Sequence, residues 1–384
     1  MILGRNTIFT KKKLLPQIIL RKLQKRKEEN SFRKLTQHSG LIDFTSNDYL
    51  GLSRSEELFE LIKKKAEGLP HRNGATGSRL LSGNNQYTEE VEQKLASIFN
   101  SEAALIFNSG YAANQAVLSS IPQKGDTILY DELAHACIRD GARLSLASRF
   151  PFLHSDLNDL EARLKKAQGN IFIAVESIYS MDGDECPLKE IVALADRYSA
   201  TIILDEAHST GIMGKNGAGY AASLELENKI PIRVYTFGKA MGVHGACVAG
   251  SKDLIDYLIN FARPFIFTTA SAPHSIASID CSFQYLADNL KLQKELNDRA
   301  SFFNSESQKL NLQKLASKSQ IQGIVVPGNE NTKKIAAILQ QQRFYVRPIL
   351  SPSVAKGSER LRICLHTFNT TEEIKQLVYI LSKV

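Results

Sequence analysis

Short apolar runs alternate with longer helical-looking segments through the middle of the chain. Small and turn-forming residues follow most of these runs. The pattern predicts buried strands that alternate with helices, and such chains build an α/β domain around a mostly parallel sheet. The predicted strands are Ala104 to Phe107, Thr127 to Tyr130, Ile171 to Ser177, Thr201 to Asp205, Arg233 to Phe237 and Ala246 to Ala249.

The two ends of the chain have other patterns. A basic amphipathic helix is predicted around Pro16 to Asn30, followed by a short extended stretch from Leu41 to Ser46. Beyond about Asp280, a charged and polar helical stretch to Lys318 leads to a smaller α+β unit with the predicted strands Ile321 to Val326 and Arg360 to Leu365. We expect three parts: residues 1–46 with the basic helix, a large α/β domain over 47–280 and a C-terminal α+β domain over 281–384.

The positive net charge of +8 is confined to one end of the chain. The first 27 residues hold nine Lys and Arg and no Asp or Glu, which leaves 39 basic against 40 acidic residues in the remainder. The body is therefore near neutral, which argues against nucleic-acid binding. A solvated basic face is the simplest interpretation of the N-terminal helix. Contact with coenzyme phosphates or with an acidic carrier protein, and an organelle-targeting role, remain open alternatives.

Composition places the chain among ordinary globular proteins, with 43% hydrophobic and 23% charged residues. The sequence shows neither a membrane-length apolar run nor a secretory signal, so we expect a cytoplasmic protein. The cysteines lie far apart without a C-x-x-C spacing, which argues against a zinc site or a disulfide framework. We expect no bound metal and mostly buried, reduced thiols at Cys137, Cys186, Cys247, Cys281 and Cys364.

Lys239 and Asp205 carry the strongest chemical signal. Lys239 lies in the string TFGKAMG, and Asp205 ends the apolar run that continues into DEAH. A lysine that holds pyridoxal phosphate as a Schiff base needs an acid to keep the pyridine nitrogen protonated, because the pyridinium is the electron sink. The pair is typical of a pyridoxal phosphate enzyme.

Two other interpretations of Asp205 are weaker. An apolar strand that ends in an acid is also the common end of a buried strand. The DEAH string is also found in helicases, where Asp205 and Glu206 would bind magnesium and nucleotide. That use requires a phosphate loop of the form GxxxxGK[ST], which the sequence lacks.

The loops that follow the predicted strands should hold the chemistry, because ligands collect at the carboxyl ends of parallel strands. Residues 108–114 form a small-residue turn that opens a helix and could bind a phosphate. His135 follows the next run and could stack on a cofactor ring, although a lone histidine is more often structural. Residues 180–184 form a polar turn after Ile171 to Ser177, which its position makes a site candidate.

Several strings together resemble those of the α-oxoamine synthases, which are fold-type-I pyridoxal phosphate enzymes. The strings are NDYLGL, GATGSRLLSG, FNSGYAANQAV, ELAHAC, YSMDGD, DEAHSTGIMG, TFGKAMGVHGA, FIFTTA and GSERLRICL. They extend from about Arg33 to Leu365 in the family's order. The resemblance implies a large domain with a mostly parallel sheet, a smaller C-terminal α+β domain, and a homodimer with shared active sites.

The resemblance also implies roles for individual residues. Lys239 would hold the cofactor and act as acid and base, Asp205 would pair with the pyridinium, and His135 would stack on the ring as the third member of the catalytic set. The remaining cofactor contacts would come from His208 and Ser180 at the phenolic oxygen, from Gly110, Tyr111 and Thr236 around the ring and phosphate, and from Thr268 and Thr269, which would reach the phosphate of the neighbouring subunit. Substrate contacts would come from Arg362, which would bind the amino-acid carboxylate, and from Arg33, Asn47 and Ser353.

The implied reaction is a decarboxylative condensation of an amino acid with an acyl thioester. We expect L-alanine and a pimeloyl group carried by coenzyme A or a carrier protein, a step of biotin synthesis. Leu350 and Thr88 depart from the family pattern and leave the acyl chain open. Relatives that use glycine or serine with other acyl groups are the first alternative. A non-catalytic dimeric scaffold is a second alternative, against which the full set of polar site residues argues.

Overall fold

A computed structural model describes residues 16–37 and 40–383. Its strands are β1 (Ile42–Asp43), β2 (Ala103–Phe107), β3 (Thr127–Asp131), β4 (Ser148–Phe152), β5 (Ile171–Glu176), β6 (Thr201–Asp205), β7 (Ile232–Thr236), β8 (Ala246–Gly250), β9 (Ile321–Val325), β10 (Phe344–Tyr345), β11 (Arg347–Ile349) and β12 (Arg360–Cys364).

The α-helices connect and cover these strands. They are α1 (Gln17–Glu28), α2 (Glu56–Glu67), α3 (Gln86–Ile98), α4 (Gly110–Ser120), α5 (Ala136–Leu144), α6 (Leu157–Leu164), α7 (Leu188–Tyr198), α8 (Tyr220–Ser223), α9 (Lys252–Phe261), α10 (Arg263–Ile266), α11 (Pro273–Asp288), α12 (Lys291–Lys309), α13 (Asn329–Gln341) and α14 (Thr371–Leu381). Within the described residues, no helix is both long enough and apolar enough to cross a membrane.

Seven strands form the central sheet, in the order β2-β8-β7-β6-β5-β3-β4. The five strands β7, β6, β5, β3 and β4 run parallel to one another. The strand β8 is antiparallel to both β2 and β7. The predicted α/β class with a mostly parallel sheet is therefore confirmed. Parallel pairing brings the carboxyl ends of β3, β5, β6 and β7 to one edge, which positions the loops that follow them.

Both faces of this sheet are buried. In β5, Phe172 and Ala174 pack into one hydrophobic cluster, whereas Ile173 and Val175 pack into a cluster on the opposite face. A strand that is buried on both faces reads as a continuous apolar run rather than as an alternation. This burial explains why composition alone locates the inner strands.

The edge strand β4 was not predicted. Four of its five residues are exposed, and Arg149 and Pro151 interrupt any apolar run. Proline is tolerated at an edge because one side of the strand needs no hydrogen-bonding partner. The sequence prediction missed this strand because edge strands lack the two-sided burial of their inner neighbours.

A three-stranded antiparallel sheet in the order β11-β12-β9 forms the C-terminal part. Its core combines residues of α12, α13 and α14 with Phe44, from the other end of the chain. The short strand β1 pairs in parallel with β10, so the N-terminal extended stretch lies beside C-terminal residues. The prediction that the helical stretch continues to Lys318 was wrong, because α12 ends at Lys309 and residues 313–320 are not helical.

The basic helix α1 is confirmed within residues 17–28 and buries none of its side chains. Of the nine Lys and Arg in the first 27 residues, four lie within residues 1–15, outside the described part of the structure, and five lie in α1.

Candidate active site

Lys239 lies in a tight turn that follows β7. The turn is closed by hydrogen bonds from the Val243 N–H to the Phe237 carbonyl at 3.1 Å and from the Gly242 N–H to the Lys239 carbonyl at 2.9 Å. Gly242 has φ of +68°, and a Cβ there would approach the Ser53 nitrogen to 2.4 Å, so only glycine fits. The turn aims the half-buried Lys239 side chain at the sheet edge.

The Lys239 amine begins a chain of hydrogen bonds. Its Nζ lies 2.7 Å from Nε2 of His208, whose Nδ1 lies 2.8 Å from the Tyr49 hydroxyl. Tyr49 donates to Oδ1 of Asn47 at 2.9 Å, an atom that can only accept. The Tyr49 proton is therefore committed, so His208 donates from Nδ1 and accepts the Lys239 N–H at Nε2.

The protonation states of the residues in this series of hydrogen bonds follow from their burial. Burial, and next the charge of Lys239, hold the pKa of His208 well below its ordinary value, so the imidazole is neutral. Burial raises the pKa of Tyr49, which keeps its hydroxyl protonated. Burial also lowers the pKa of Lys239, against the opposing charges of Asp205 and Glu176. A larger fraction of neutral amine is thus available than on a surface lysine.

Arg362 of β12 contacts the far end of this series of hydrogen bonds. Its guanidinium donates to Oδ1 of Asn47 at 3.0 Å and to the carbonyl of Ser180 at 2.6 Å. Ser180 is buried in the turn after β5. The sequence-predicted residues Lys239, His208, Asn47, Ser180 and Arg362 thus form one connected group.

Asp205 ends β6 and is buried, with 4% of its surface exposed. Its Oδ1 accepts the N–H of Ala207 at 2.8 Å, and its Oδ2 accepts Nδ2 of Asn114 at 2.7 Å. Both partners are donors, which favours the ionised carboxylate, and a carboxylate has further lone pairs for a third donor. Asp205 can therefore stabilise a cationic ring nitrogen.

Helix α4 begins with its N-terminus at this edge of the sheet. Ser109 caps it by accepting the Ala112 N–H at 3.2 Å, and the first-turn N–H groups of Gly110 and Tyr111 are among those that a helix leaves without internal partners. A Cβ on Gly110 would lie 2.3 Å from Oγ1 of Thr236, so the glycine lets that hydroxyl reach the helix end. This arrangement suits a phosphate.

His135 precedes α5 and its ring is exposed in the single chain. The backbone N–H of His135 donates to Oε1 of Glu176 at 2.5 Å, and the ring Nδ1 lies 2.9 Å from Sγ of Cys137. Burial raises the pKa of the Cys137 thiol, so the S–H is the donor and Nδ1 the acceptor. These contacts fix the backbone and the ring of His135.

Thr268 and Thr269 are held by one side chain, that of Asn108. Its Nδ2 donates to Oγ1 of Thr268 at 3.2 Å and to the carbonyl of Thr269 at 2.9 Å. The Tyr111 side chain is exposed, and its hydroxyl donates to Asp140. The side chains of Tyr111, Thr268 and Thr269 therefore lie outside the hydrogen-bonded group of Lys239.

Arg33 donates to the Ser353 hydroxyl at 2.8 Å on an exposed part of the surface. Among the hydrogen bonds of the described residues, none joins this pair to Lys239 or Arg362. The structure thus brings the two substrate-side candidates together, and no hydrogen bond among the described residues joins them to Asn47 or Arg362.

Three residues of this region were missed in the sequence. Tyr49 links Asn47 to His208 across 159 positions, a distance that no local pattern reveals. Asn114 lies one helical turn after Gly110, and this i,i+4 spacing could have indicated it. Glu176 ends β5 as Asp205 ends β6, and the two are register partners.

The residues present fit pyridoxal phosphate. A half-buried lysine with a lowered pKa, a buried carboxylate with free lone pairs and a helix N-terminus lie at one edge of the sheet. All five cysteines are buried and free, as the sequence predicted. Among residues 16–37 and 40–383, no cluster of three or more His, Cys, Asp or Glu side chains is arranged to hold a metal ion.

Comparison with known proteins agrees with this chemistry. Residues 39–381 match the family described as aminotransferase class I and II. The chain is 39% identical to an 8-amino-7-oxononanoate synthase of Emericella nidulans, over 93% of this chain and 92% of the relative. It is 37% identical to an enzyme of the same name from Lysinibacillus sphaericus, over 89% and 87%.

Two solved structures share the fold. A serine palmitoyltransferase from S. paucimobilis, with bound pyridoxal phosphate and myriocin, has a TM-score of 0.87 at 25% identity and covers 95% of this chain and 96% of its own. An 8-amino-7-oxononanoate synthase from Francisella tularensis has a TM-score of 0.78 at 30% identity, with 90% and 97% covered.

The chain belongs to the class I and II aminotransferase family and, within it, to the α-oxoamine synthases. It is a pyridoxal phosphate-dependent acyltransferase with the fold-type-I architecture that the sequence resemblance implied.

Proposed function

We propose that the enzyme condenses L-alanine with a pimeloyl thioester, releases carbon dioxide and forms 8-amino-7-oxononanoate, a step of biotin synthesis. The observation that carries this proposal is the 39% identity to an enzyme of that name over nearly the whole of both chains. The connected group from Lys239 to Arg362 supports it, because it joins a reactive amine to a cation suited to an amino-acid carboxylate.

Lys239 would hold the cofactor and then move a proton. When bound, pyridoxal phosphate supplies an electron sink that stabilises negative charge on the α-carbon of the amino acid. Lys239 takes the α-proton as a neutral amine and later returns it as a general acid. Its lowered pKa suits both roles, because a base works best when its pKa lies near the working pH.

Asp205, His208 and His135 would orient the ring. Asp205 keeps the ring nitrogen protonated, fixed by its bonds to Asn114 and Ala207. In the other tautomer of His208, with the hydrogen on Nε2 and the Tyr49 hydroxyl donating to Nδ1, Nε2 would donate to the phenolic oxygen, beside Ser180. The exposed ring of His135 would cover one face of the cofactor.

Arg362 would bind the carboxylate of the amino acid. A guanidinium donates two parallel hydrogen bonds to a planar carboxylate. Its bonds to Ser180 and Asn47 hold the guanidinium in place before the substrate arrives. Arg33, Asn47 and Ser353 would lie on the substrate side, and the exposed Arg33–Ser353 pair suits the acyl donor better than the amino acid.

The enzyme would work as a homodimer in the cytoplasm. Thr268 and Thr269 would reach the phosphate in the neighbouring subunit. This assignment is supported by the hydrogen bonds that attach both threonines to Asn108, and by the lack of any hydrogen bond from them to Lys239 among the described residues.

Absorption spectroscopy tests the proposal. The protein is loaded with pyridoxal phosphate and titrated with L-alanine, glycine and L-serine, after which pimeloyl-coenzyme A is added. We expect the visible band of the bound cofactor to respond to L-alanine at the lowest concentration, and mass spectrometry to detect 8-amino-7-oxononanoate. Borohydride reduction should attach the cofactor to Lys239. A holoenzyme that responds only to serine or glycine would contradict the substrate assignment.

Condensation of serine with a long acyl chain is a second candidate. It is favoured by the higher TM-score to serine palmitoyltransferase, 0.87 against 0.78. The identity to that structure is lower, 25% against 30%, and fold similarity says less about substrate than sequence does. Palmitoyl-coenzyme A with serine in the same assay separates the two candidates.

A further inference from the structure

His154 lies between two carboxylates just beyond β4. Its Nδ1 is 2.9 Å from Oδ1 of Asp131, and its Nε2 is 2.8 Å from Oδ2 of Asp184. An ionised carboxylate only accepts, so both ring nitrogens must carry hydrogen. Burial alone lowers the pKa of His154, but the hydrogen bonds and charges of Asp131 and Asp184 outweigh it and raise the pKa to about 10. The ring is an imidazolium at neutral pH.

Two further neighbours of this ring are a tyrosine and a third acidic residue. Tyr179 packs its edge against the ring, with centroids 4.5 Å apart. The His154 backbone N–H donates to Glu132 at 3.3 Å. These contacts bring three carboxylates and a phenol to His154, and the carboxylates favour a positive charge on its ring.

Asp131 ends β3 and fixes the loop that leads to His135. It is completely buried, and its Oδ1 also accepts the Leu133 N–H at 2.8 Å. Its carbonyl accepts the Ala134 N–H at 2.9 Å. The position of the His135 backbone therefore depends on the position of Asp131.

Asp184 closes the turn that contains Ser180. The Tyr179 N–H donates to the Asp184 carbonyl at 3.0 Å, and the Gly183 N–H donates to the Tyr179 carbonyl at 2.9 Å. The carbonyl of Ser180 in turn accepts Nε of Arg362. A displacement of Asp184 would therefore move the acceptor that orients Arg362.

We propose that His154 is a positioning residue: its imidazolium joins the loop of His135 to the turn of Ser180 and, through the Ser180 carbonyl, sets the direction of Arg362 toward the amino-acid carboxylate. The inference rests on the proposed function, because it assigns these residues to the cofactor and the amino acid. His154 itself is placed to contact neither.

The test compares His154→Gln and Asp184→Asn with the wild-type holoenzyme. Asp184→Asn keeps the ion pair between Asp131 and His154, so the buried Asp131 retains its counter-charge. This variant therefore serves as the test if His154→Gln fails to fold. The control is Ile255→Ala, a core substitution in α9. This helix packs near β2 and β8, at the end of the strand order opposite to β4, so the substitution lowers stability without touching the region of His154. The readouts are the melting temperature, the amino-acid Kd from the visible cofactor band, and KM and kcat.

We expect the amino-acid Kd and KM to rise about tenfold in His154→Gln and Asp184→Asn, since small misplacements in a site have effects of this size or larger. The control should melt earlier with an unchanged Kd. Folded variants of His154 and Asp184 with wild-type Kd and kcat would overturn the inference. If the wild type itself responds to serine rather than alanine, the proposed function fails, and the same comparison with serine still tests His154.

Discussion

Glu176 and Asp205 are register partners on the adjacent strands β5 and β6, and both carboxyl groups are buried at the same edge of the sheet. Burial, and next the charge of Asp205, raise the pKa of Glu176 to about 8. Two adjacent buried carboxylates cannot both ionise easily. With a pKa of about 8, Glu176 is mostly protonated at neutral pH.

The raised pKa of Glu176 predicts that the stability of the protein depends on pH. The pKa of Glu176 is higher in the folded state than the value of 4.5 expected for the unfolded chain, so its contribution to stability is complete below that value and is lost as the pH rises through about 8. Glu176→Gln imitates the protonated acid and still accepts the His135 N–H. We expect the unfolding free energy of the apoenzyme to fall less between pH 5 and 9 in Glu176→Gln than in the wild type, measured by urea unfolding. Parallel pH curves would contradict this assignment.

Asp205→Asn tests the charge at the ring nitrogen without changing the shape of the side chain. The amide oxygen can still accept one of the two donors, Ala207 N–H or Asn114 Nδ2, so we expect the fold and cofactor binding to persist. The value of kcat should fall about 100-fold or more, because a neutral ring nitrogen weakens the electron sink. The visible absorption changes with alanine and thioester should also disappear. A variant with an undiminished absorption response would show that another group protonates the ring.

Arg362→Lys should affect the amino acid more than the thioester. Lysine keeps the positive charge, but its single nitrogen cannot reproduce the planar fork by which separate nitrogens of Arg362 bond Ser180 and Asn47 and leave a bidentate face for a carboxylate. The loss of a charge-assisted hydrogen bond corresponds to a KM for alanine that is higher by about tenfold or more. The KM for pimeloyl-coenzyme A should change little. Equal changes in both constants would indicate a general disturbance of the site.

The proposed homodimer with shared sites predicts complementation between inactive variants. Lys239→Ala and the double variant Thr268→Val/Thr269→Val damage different contributions to each site. Random mixing of the subunits should restore about a quarter of wild-type activity, because half of the dimers then contain one intact site of two. The matched control mixes Lys239→Ala with Asp205→Ala. Both of these substitutions affect the same subunit's part of the site, so no activity should return. Recovery in neither mixture would contradict the sharing.

The sequence predicted the inner strands of the sheet, and its local strings indicated candidate site residues but not the contacts between them. Runs such as Ile171 to Ser177 became strands because burial on both faces leaves a continuous apolar signal. The strand β4 has no such signal, and His154, which follows it, was overlooked for that reason. Lys239, Asp205 and His208 were found through local strings, and the structure brings Lys239 and His208 into contact.

The missed residues act through long-range contacts. Tyr49 reaches His208, and His154 reaches Asp184, only because distant segments fold against each other. A pattern along the chain reports burial and turn chemistry, but it does not report which polar side chains will meet. Glu176 is an exception, because its position at the end of β5 repeats that of Asp205 in β6.

The pairing of β1 with β10 brings residues near both ends of the chain together, and the middle of the chain supplies a separate group of site residues. Asn47 and Tyr49 follow β1, and Arg362 lies in β12, whereas Asp205 ends strand β6 of the central sheet, Lys239 lies in the turn after β7, and Gly110 begins α4. On the proposed function, substitutions near both termini would change the contacts to the substrates while the contacts to the cofactor stay constant. A change of substrate would then require coordinated replacements in two segments that are remote in sequence but fold as neighbours.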